Sequence, residues 1–187
     1  MKSQLAVATV VAMLCLLGIP NVKAESLAVS SNPLWTDTTL SLQIGDSVTI
    51  TASGSWQFDY VHGSCGPDGM YVEENLYDRF YSGALQGALV AYVGPDPYQG
   101  HWGDESFFPQ ATGYWNIGSS AQFTSDKDGE LWLGFNDDAV SAQPWTDNSG
   151  SVTADISVAP VPEPSGFALA LLGVLALLGT RRLRRSS

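Results

Sequence analysis

Two polar clusters late in the chain carry the residue types that could do chemistry. Phe135-Asn136-Asp137-Asp138 is followed, after a short loop, by Thr146-Asp147-Asn148-Ser149-Gly150. Together they offer three carboxylates (Asp137, Asp138 and Asp147), two side-chain amides and the loop carbonyls. All are hard oxygen donors, and calcium takes about six to eight such donors at roughly 2.3–2.6 Å in a forgiving geometry. Three like charges in one small loop repel one another unless a cation sits among them. The spacing is not that of an EF-hand, because no glycine stands at the turn position and no glutamate closes the loop. The same composition also suits a loop that uses Asp and Asn side chains to make its turns. Composition alone does not separate the two readings.

The elements that must position these clusters read as β. Leu40, Leu42 and Ile44 alternate with polar residues, Gly45-Asp46 offers a turn, and Val48, Ile50 and Ala52 alternate again, the pattern of a hairpin. Gly87 to Val93 is a continuous apolar run suited to a buried strand. Asp126-Lys127-Asp128-Gly129 is a turn, followed by Leu131, Leu133 and Phe135 on one face. Val152, Ala154, Ile156 and Val158 make a last alternating strand. No window offers an amphipathic helix of about ten residues or more. The 19 glycines and 10 prolines fit many turns. The expected fold is all-β, a single antiparallel β-sandwich of jelly-roll type. On this reading the chain leaves the sandwich at Asp137 and re-enters at Ser151, which brings both polar clusters to one rim.

Charge narrows the partners. All 19 acidic residues lie between Glu25 and Glu163, against only Arg79 and Lys127 among the basic ones. Such a field disfavours nucleic acid and anionic membranes and suits divalent cations, although a solvated acidic surface has the same composition. Cys65 is the only cysteine in this segment, so no disulfide forms within it. Catalysis is not expected. Glu73-Glu74 would point to opposite faces of a strand and could not flank one glycosidic bond. His62 and His101, the only histidines, sit in no protease or nucleophile pattern.

The segment from about Leu34 to Ser157 resembles the PA-I galactophilic lectins, small calcium-dependent galactose-binding β-sandwiches. The resemblance is carried, in order, by Ile44-Gly45-Asp46-Ser47-Val48-Thr49-Ile50, by Gly54 with aromatics behind it, by Gly66-Pro67-Asp68-Gly69, by Gly87-Ala88-Leu89-Val90-Ala91-Tyr92-Val93-Gly94, and by Phe135-Asn136-Asp137 with Asp147-Asn148-Ser149-Gly150-Ser151. It implies a calcium site in which Asp137 is shared between metal and sugar and Asp147 and Asn148 stand at the family's paired asparagines. It further implies backbone carbonyl ligands near Phe58 and between Ala139 and Thr146, with Asp138 adding negative charge. The family's His-Pro-x-Gln sugar contact is missing, and Glu74-Asn75-Leu76-Tyr77 takes its place. The resemblance therefore assigns sugar contacts to Asp137, Asn148, Glu74, Asn75 and Tyr77. Trp145, within the candidate loop, offers an aromatic face for a pyranose; packing against the core is an equal alternative for it and the favoured one for Trp102, Trp115 and Trp132.

Both ends of the chain are addresses. Lys2, the apolar stretch Leu5 to Ile19, and Val22-Lys23-Ala24 are ordered as a secretory signal, with a mature start near Glu25. Cys15 lies inside the apolar stretch after Leu14, which does not suit a lipoprotein box. The other end reads Val161-Pro162-Glu163-Pro164, then 15 residues without charge from Gly166 to Thr180, then Arg181-Arg182-Leu183-Arg184-Arg185. A helix of that length spans roughly 22 Å, short of the ~30 Å hydrocarbon core, and lodges in a membrane by local thinning with its arginines in the cytoplasm. An ordinary membrane anchor is one reading. The order of motif, helix and basic stop resembles the PEP-CTERM sorting signal of Gram-negative bacteria. That resemblance implies cleavage by an exosortase near Pro162-Glu163-Pro164, after export through signal peptidase and transient membrane association, and delivery to the cell surface or an exopolysaccharide matrix. The expected organisation is a signal peptide over 1–24, a lectin-like domain over 25–158 and a sorting signal over 159–187. Two functions from different classes follow: an exported calcium-dependent carbohydrate-binding protein, or a structural surface protein whose rim loops calcium merely clamps.

Overall fold

The long strands follow their alternation of apolar and polar residues. In the computed structural model, which describes residues 22–59, 62–72, 81–97, 113–137 and 147–161, β10 (Ser149–Ala159) buries Val152, Ala154, Ile156 and Val158 and exposes most of the residues between them. β9 (Gly129–Phe135) buries Leu131, Leu133 and Phe135, and β6 (Gln86–Gly94) is buried at every position except Tyr92. A strand covered on both faces must be apolar throughout, which explains the unbroken run in β6. Residues Val22–Pro160 form one compact unit.

Among the described residues, ten strands make two antiparallel sheets. In the first the order is β1 (Lys23–Ser30), β10, β3 (Ser47–Asp59) and β4 (Gly63–Cys65), with β8 (Ser120–Thr124) also paired to β3. The second has the order β2 (Trp35–Leu42), β9, β6 and β5 (Asp68–Met70), with β7 (Tyr114–Asn116) paired to β6. Side chains from both sheets enter one hydrophobic core, among them Val48, Ile50, Val152 and Ala154 from the first and Leu42, Leu89, Leu131 and Leu133 from the second. Each fully buried Val, Leu, Ile or Phe contributes about 1.5–3 kcal/mol relative to exposure.

The hairpin expected around Gly45-Asp46 does not form. β2 pairs with β9 and β3 pairs with β10, so consecutive strands enter different sheets. The intervening turn is bonded to another turn instead of closing a ladder. Gly45 N–H donates to Ser125 O at 2.8 Å, Ser125 N–H donates to Asp46 O at 2.9 Å, and the Asp46 carboxylate accepts the Gln43 N–H at 2.9 Å. Ile44, read from sequence as an inward strand residue, is 62% exposed at this crossing. Alternation on both sides of a tight turn specifies two inward faces but not which sheet each belongs to.

The ladder between β1 and β10 begins at Lys23↔Val158 and Ala24↔Ser157, so the strand starts ahead of the expected mature N-terminus at Glu25. Trp115 and Trp132 pack against the core as expected, half-buried. No helix occurs among the described residues, and none of them forms a helix long and apolar enough to cross a membrane. Residues 1–21 of the signal peptide expected over 1–24, Pro162-Glu163-Pro164 and the apolar stretch Gly166 to Thr180 lie outside the described residues; Val161, the last one described, is exposed.

Candidate functional site

The rim where β9 ends and β10 begins is built on an aromatic floor. Trp56 of β3 meets Phe135 of β9 edge to face, with centroids 4.7 Å apart at 88°, and so joins the two sheets beneath the rim. The Trp56 indole N–H donates to the Gly87 carbonyl of β6 at 2.8 Å, and the Cys65 thiol donates to the same oxygen at 3.6 Å. Gly87 has φ +69° and no room for a side chain, since a Cβ there would lie 2.7 Å from Cys65 Sγ. Only glycine satisfies both the left-handed backbone and the close approach.

Above this floor stands Asp137, 2% exposed. Its Oδ2 accepts the Asn148 side-chain N–H at 2.6 Å, and its Oδ1 accepts the Gln86 side-chain N–H at 3.2 Å. Hydrogen bonds to an ionised acceptor are roughly twice as strong as neutral ones, so the carboxylate is held from both sides. Its own N–H donates to Phe135 O at 2.9 Å, a tight turn that stops β9 at the rim. Asn148 and Gln86 are 5% and 1% exposed. Each amide spends its nitrogen on Asp137, and in both the oxygen, Asn148 Oδ1 and Gln86 Oε1, is buried without a hydrogen-bond partner. An unsatisfied buried acceptor costs about 1–3 kcal/mol, and native structures hold few of them.

The structure rearranges the donor set expected from sequence. Asn136, one of the two amides in the polar clusters, is not at the site. Its Oδ1 accepts the Tyr81 N–H at 2.9 Å, while its Nδ2 lies 3.0 Å from Tyr81 O, 3.3 Å from Ala84 O and 3.0 Å from Leu85 O. It ties the segment before β6 to the end of β9. Gln86, which belongs to neither polar cluster, stands against Asp137 instead. Gln86 stands at the edge of an apolar run buried on both faces, where alternation says nothing about direction. A polar residue opening such a run was the available signal.

Asp147 directly precedes Asn148 and is half-buried. Along β10 and β3 the last paired residues at this end are Ser149 and Gln57. The next residues are Asn148 and Phe58, which places the Phe58 backbone at this rim. The pairing of β3 with β4 slips between Gln57 and Asp59, making Phe58 the extra residue of a bulge. Bulges interrupt the ladder and recur beside functional sites. Asp138, Glu74, Asn75, Tyr77, Trp145, His101 and Trp102 lie outside the described residues.

Among the described residues no three His, Cys, Asp or Glu side chains come together as a metal site. Among the described residues the oxygens gathered around Asp137 belong to one carboxylate and two amides, a hard set of low charge of the kind that suits calcium better than a transition metal. Asp137 is flanked by the two amides, and their unpartnered oxygens are of the donor type such an ion takes. Cys65, in the floor, is not a ligand of this kind: its pKa is raised to about 11, chiefly by burial, with the Asp137 charge adding to it, so it is a neutral thiol at physiological pH. An open groove lined by Ser26, Thr49, Thr51 and Asp155 lies on the first sheet and contains none of these residues.

No protein-family model matches the chain, and no curated protein sequence matches it. Among solved structures, a chain described as the EclA N-terminal domain, a PllA-like lectin, is similar with a TM-score of 0.48 and 19% identity, over 74% of this chain and 98% of that one.

Proposed function

We propose that the chain is an exported, calcium-dependent carbohydrate-binding protein of galactose-type lectin character, sorted by an exosortase to the cell surface or an exopolysaccharide matrix. The observation that carries the site is Asp137 held between two buried amides whose oxygens are both unpartnered. Asp137 supplies the charge and Asn148 a neutral oxygen. Asp147, next to Asn148 in sequence, and the bulged Phe58 backbone, next in register beyond the Gln57–Ser149 pair, would contribute further oxygens. Calcium bound there supplies coordination positions that two vicinal sugar hydroxyls can complete. Glu74, Asn75, Tyr77 and Trp145 would then contact the sugar, and Asp138 would add negative charge. The resemblance of the PEP-CTERM type at Val161-Pro162-Glu163-Pro164 supports export and release.

One observation favours a second reading, a structural surface protein in which the cation only clamps the rim: Asp137 and Asn148 are almost completely buried. Glycan-array binding with and without a chelator separates the two. Chelator-sensitive glycan binding supports the lectin. A calcium-dependent melting temperature with no glycan bound supports the clamp. Under both readings the double variant Asp137→Ala/Asn148→Ala loses calcium in a calorimetric titration, and an unchanged titration overturns the site. Mass spectrometry of the released protein tests the processing, which predicts termini near Glu25 and Pro162-Glu163-Pro164.

A further inference from the structure

We infer that Gln86 is itself part of the cation site, its Oε1 serving as a neutral oxygen ligand in addition to Asp137 and Asn148. The inference rests on the calcium reading above and adds a residue that the polar clusters do not contain. Gln86 is 1% exposed, and its Nε2 lies 3.2 Å from Asp137 Oδ1. Its oxygen is buried without a partner, as is that of Asn148 on the other side of the same carboxylate. Both orphan acceptors belong to the two amides whose nitrogens grip one buried carboxylate, so they form a set. A cation at Asp137 can take an oxygen from each of these amides once the amide turns toward it, which serves both acceptors with one ligand.

The fold also holds Gln86 in place. Immediately after it, Gly87 N–H donates to Asn136 O at 2.8 Å, and Gly87 O accepts from the Trp56 indole and the Cys65 thiol. On its other side Gln86 pairs with Met70 of β5. With the backbone fixed, the remaining freedom is the terminal amide torsion, which is soft. The side chain can exchange nitrogen for oxygen toward the site without moving the strand. Removing a neutral ligand carried on so fixed a backbone should weaken the ion without unfolding the rim.

Terbium is the probe, because it takes calcium's oxygen sites and its luminescence lifetimes in H2O and D2O count inner-sphere waters. Wild-type protein should bind it competitively with calcium. Gln86→Met should bind at least about tenfold more weakly and hold one more inner-sphere water; Gln86→Glu, which keeps an oxygen, should return the water count to the wild-type value. Unchanged affinity and water number in Gln86→Met overturn the assignment, as does an extra water in Gln86→Glu. If Gln86→Met fails to fold, the wild-type Gln86 side-chain carbonyl carbon is followed by NMR during calcium titration; a saturable downfield shift supports ligation, and a stationary signal overturns it. If wild-type protein binds neither ion, the calcium reading itself has failed and this assignment with it, an outcome distinct from loss at Gln86 alone.

Discussion

Asn148 Nδ2 meets Asp137 Oδ2 at 2.6 Å, although Asp137 follows β9 of one sheet and Asn148 precedes β10 of the other. The eleven-residue step between them therefore crosses from sheet to sheet and is closed at its base by a charge-assisted hydrogen bond. Below that contact Trp56 and Phe135 join the same two sheets by packing. The rim is thus tied twice, once by polar and once by apolar contact, and its carboxylate is fixed before any ligand arrives.

Replacing Asp137 by Ala should destabilise the metal-free protein by about 1–3 kcal/mol, because the Gln86 and Asn148 amides lose a shared acceptor while remaining buried. Asp137→Asn keeps one acceptor oxygen and should fall between the two. Urea unfolding in a chelator reads this directly, and a change below about half a kcal/mol would show that the carboxylate is not holding the rim.

Calcium should stabilise the wild-type protein by about 2.7 kcal/mol at a hundredfold excess over Kd, since only the folded chain assembles Asp137 with Asn148. The shift should vanish in Asn148→Ala. Thermal unfolding across a calcium series tests this. A shift of equal size in the variant would move the binding site elsewhere.

Much of this was legible in the sequence, and the reasons for what was not are local. The buried stripes of β9 and β10 follow period two, so Leu131, Leu133, Phe135 and the four inward residues of β10 could be placed in advance. The nearness of Asp137 to Asn148 followed from strand ends alone. The pairing of β2 and β3 did not, because a short turn serves a hairpin or a crossing equally well. The choice is made by bonds from Gly45 and Asp46 to Ser125, eighty residues or so away. Gln86 was hidden for a related reason: in a doubly buried strand a side chain's direction depends on its neighbours in three dimensions.

Gly87→Ala should be among the most damaging single changes, with a loss of roughly 2 kcal/mol or more. The left-handed backbone at φ +69° penalises any Cβ, and that Cβ would lie 2.7 Å from Cys65 Sγ. The double variant Gly87→Ala/Cys65→Ala should recover only the steric part. Urea midpoints of the three proteins separate the two contributions, and full recovery would show that backbone strain contributes nothing.

Cys65 should resist alkylation in the folded protein at pH 8–9, where an ordinary thiol near pKa 9.0 reacts, because burial first and the Asp137 charge after it raise its pKa to about 11. The sign for stability follows from proton binding. The folded state keeps the thiol's proton more tightly, so this contribution is whole below about pH 9 and is lost as pH rises through about 11. Cys65→Ala should lack that alkaline loss. Denaturation midpoints from pH 8 to 11 compare the two, and parallel curves would exclude the thiol as the source.

Asn136→Ala should cost about 2–4 kcal/mol and act on the approach to Gln86, not on the carboxylate. Its side chain accepts the Tyr81 N–H and donates toward the carbonyls of Tyr81, Ala84 and Leu85, so one amide fixes the segment entering β6. Asn136→Asp keeps the acceptor for Tyr81 but faces a carboxylate toward those carbonyls, and it should be no better than Ala. Two readouts distinguish a clamp from a ligand. Amide exchange at Tyr81 should accelerate in both variants, whereas calcium affinity in the folded protein should fall far less than in Asn148→Ala. Equal loss of calcium affinity in Asn136→Ala and Asn148→Ala would return Asn136 to the donor set from which its hydrogen bonds remove it.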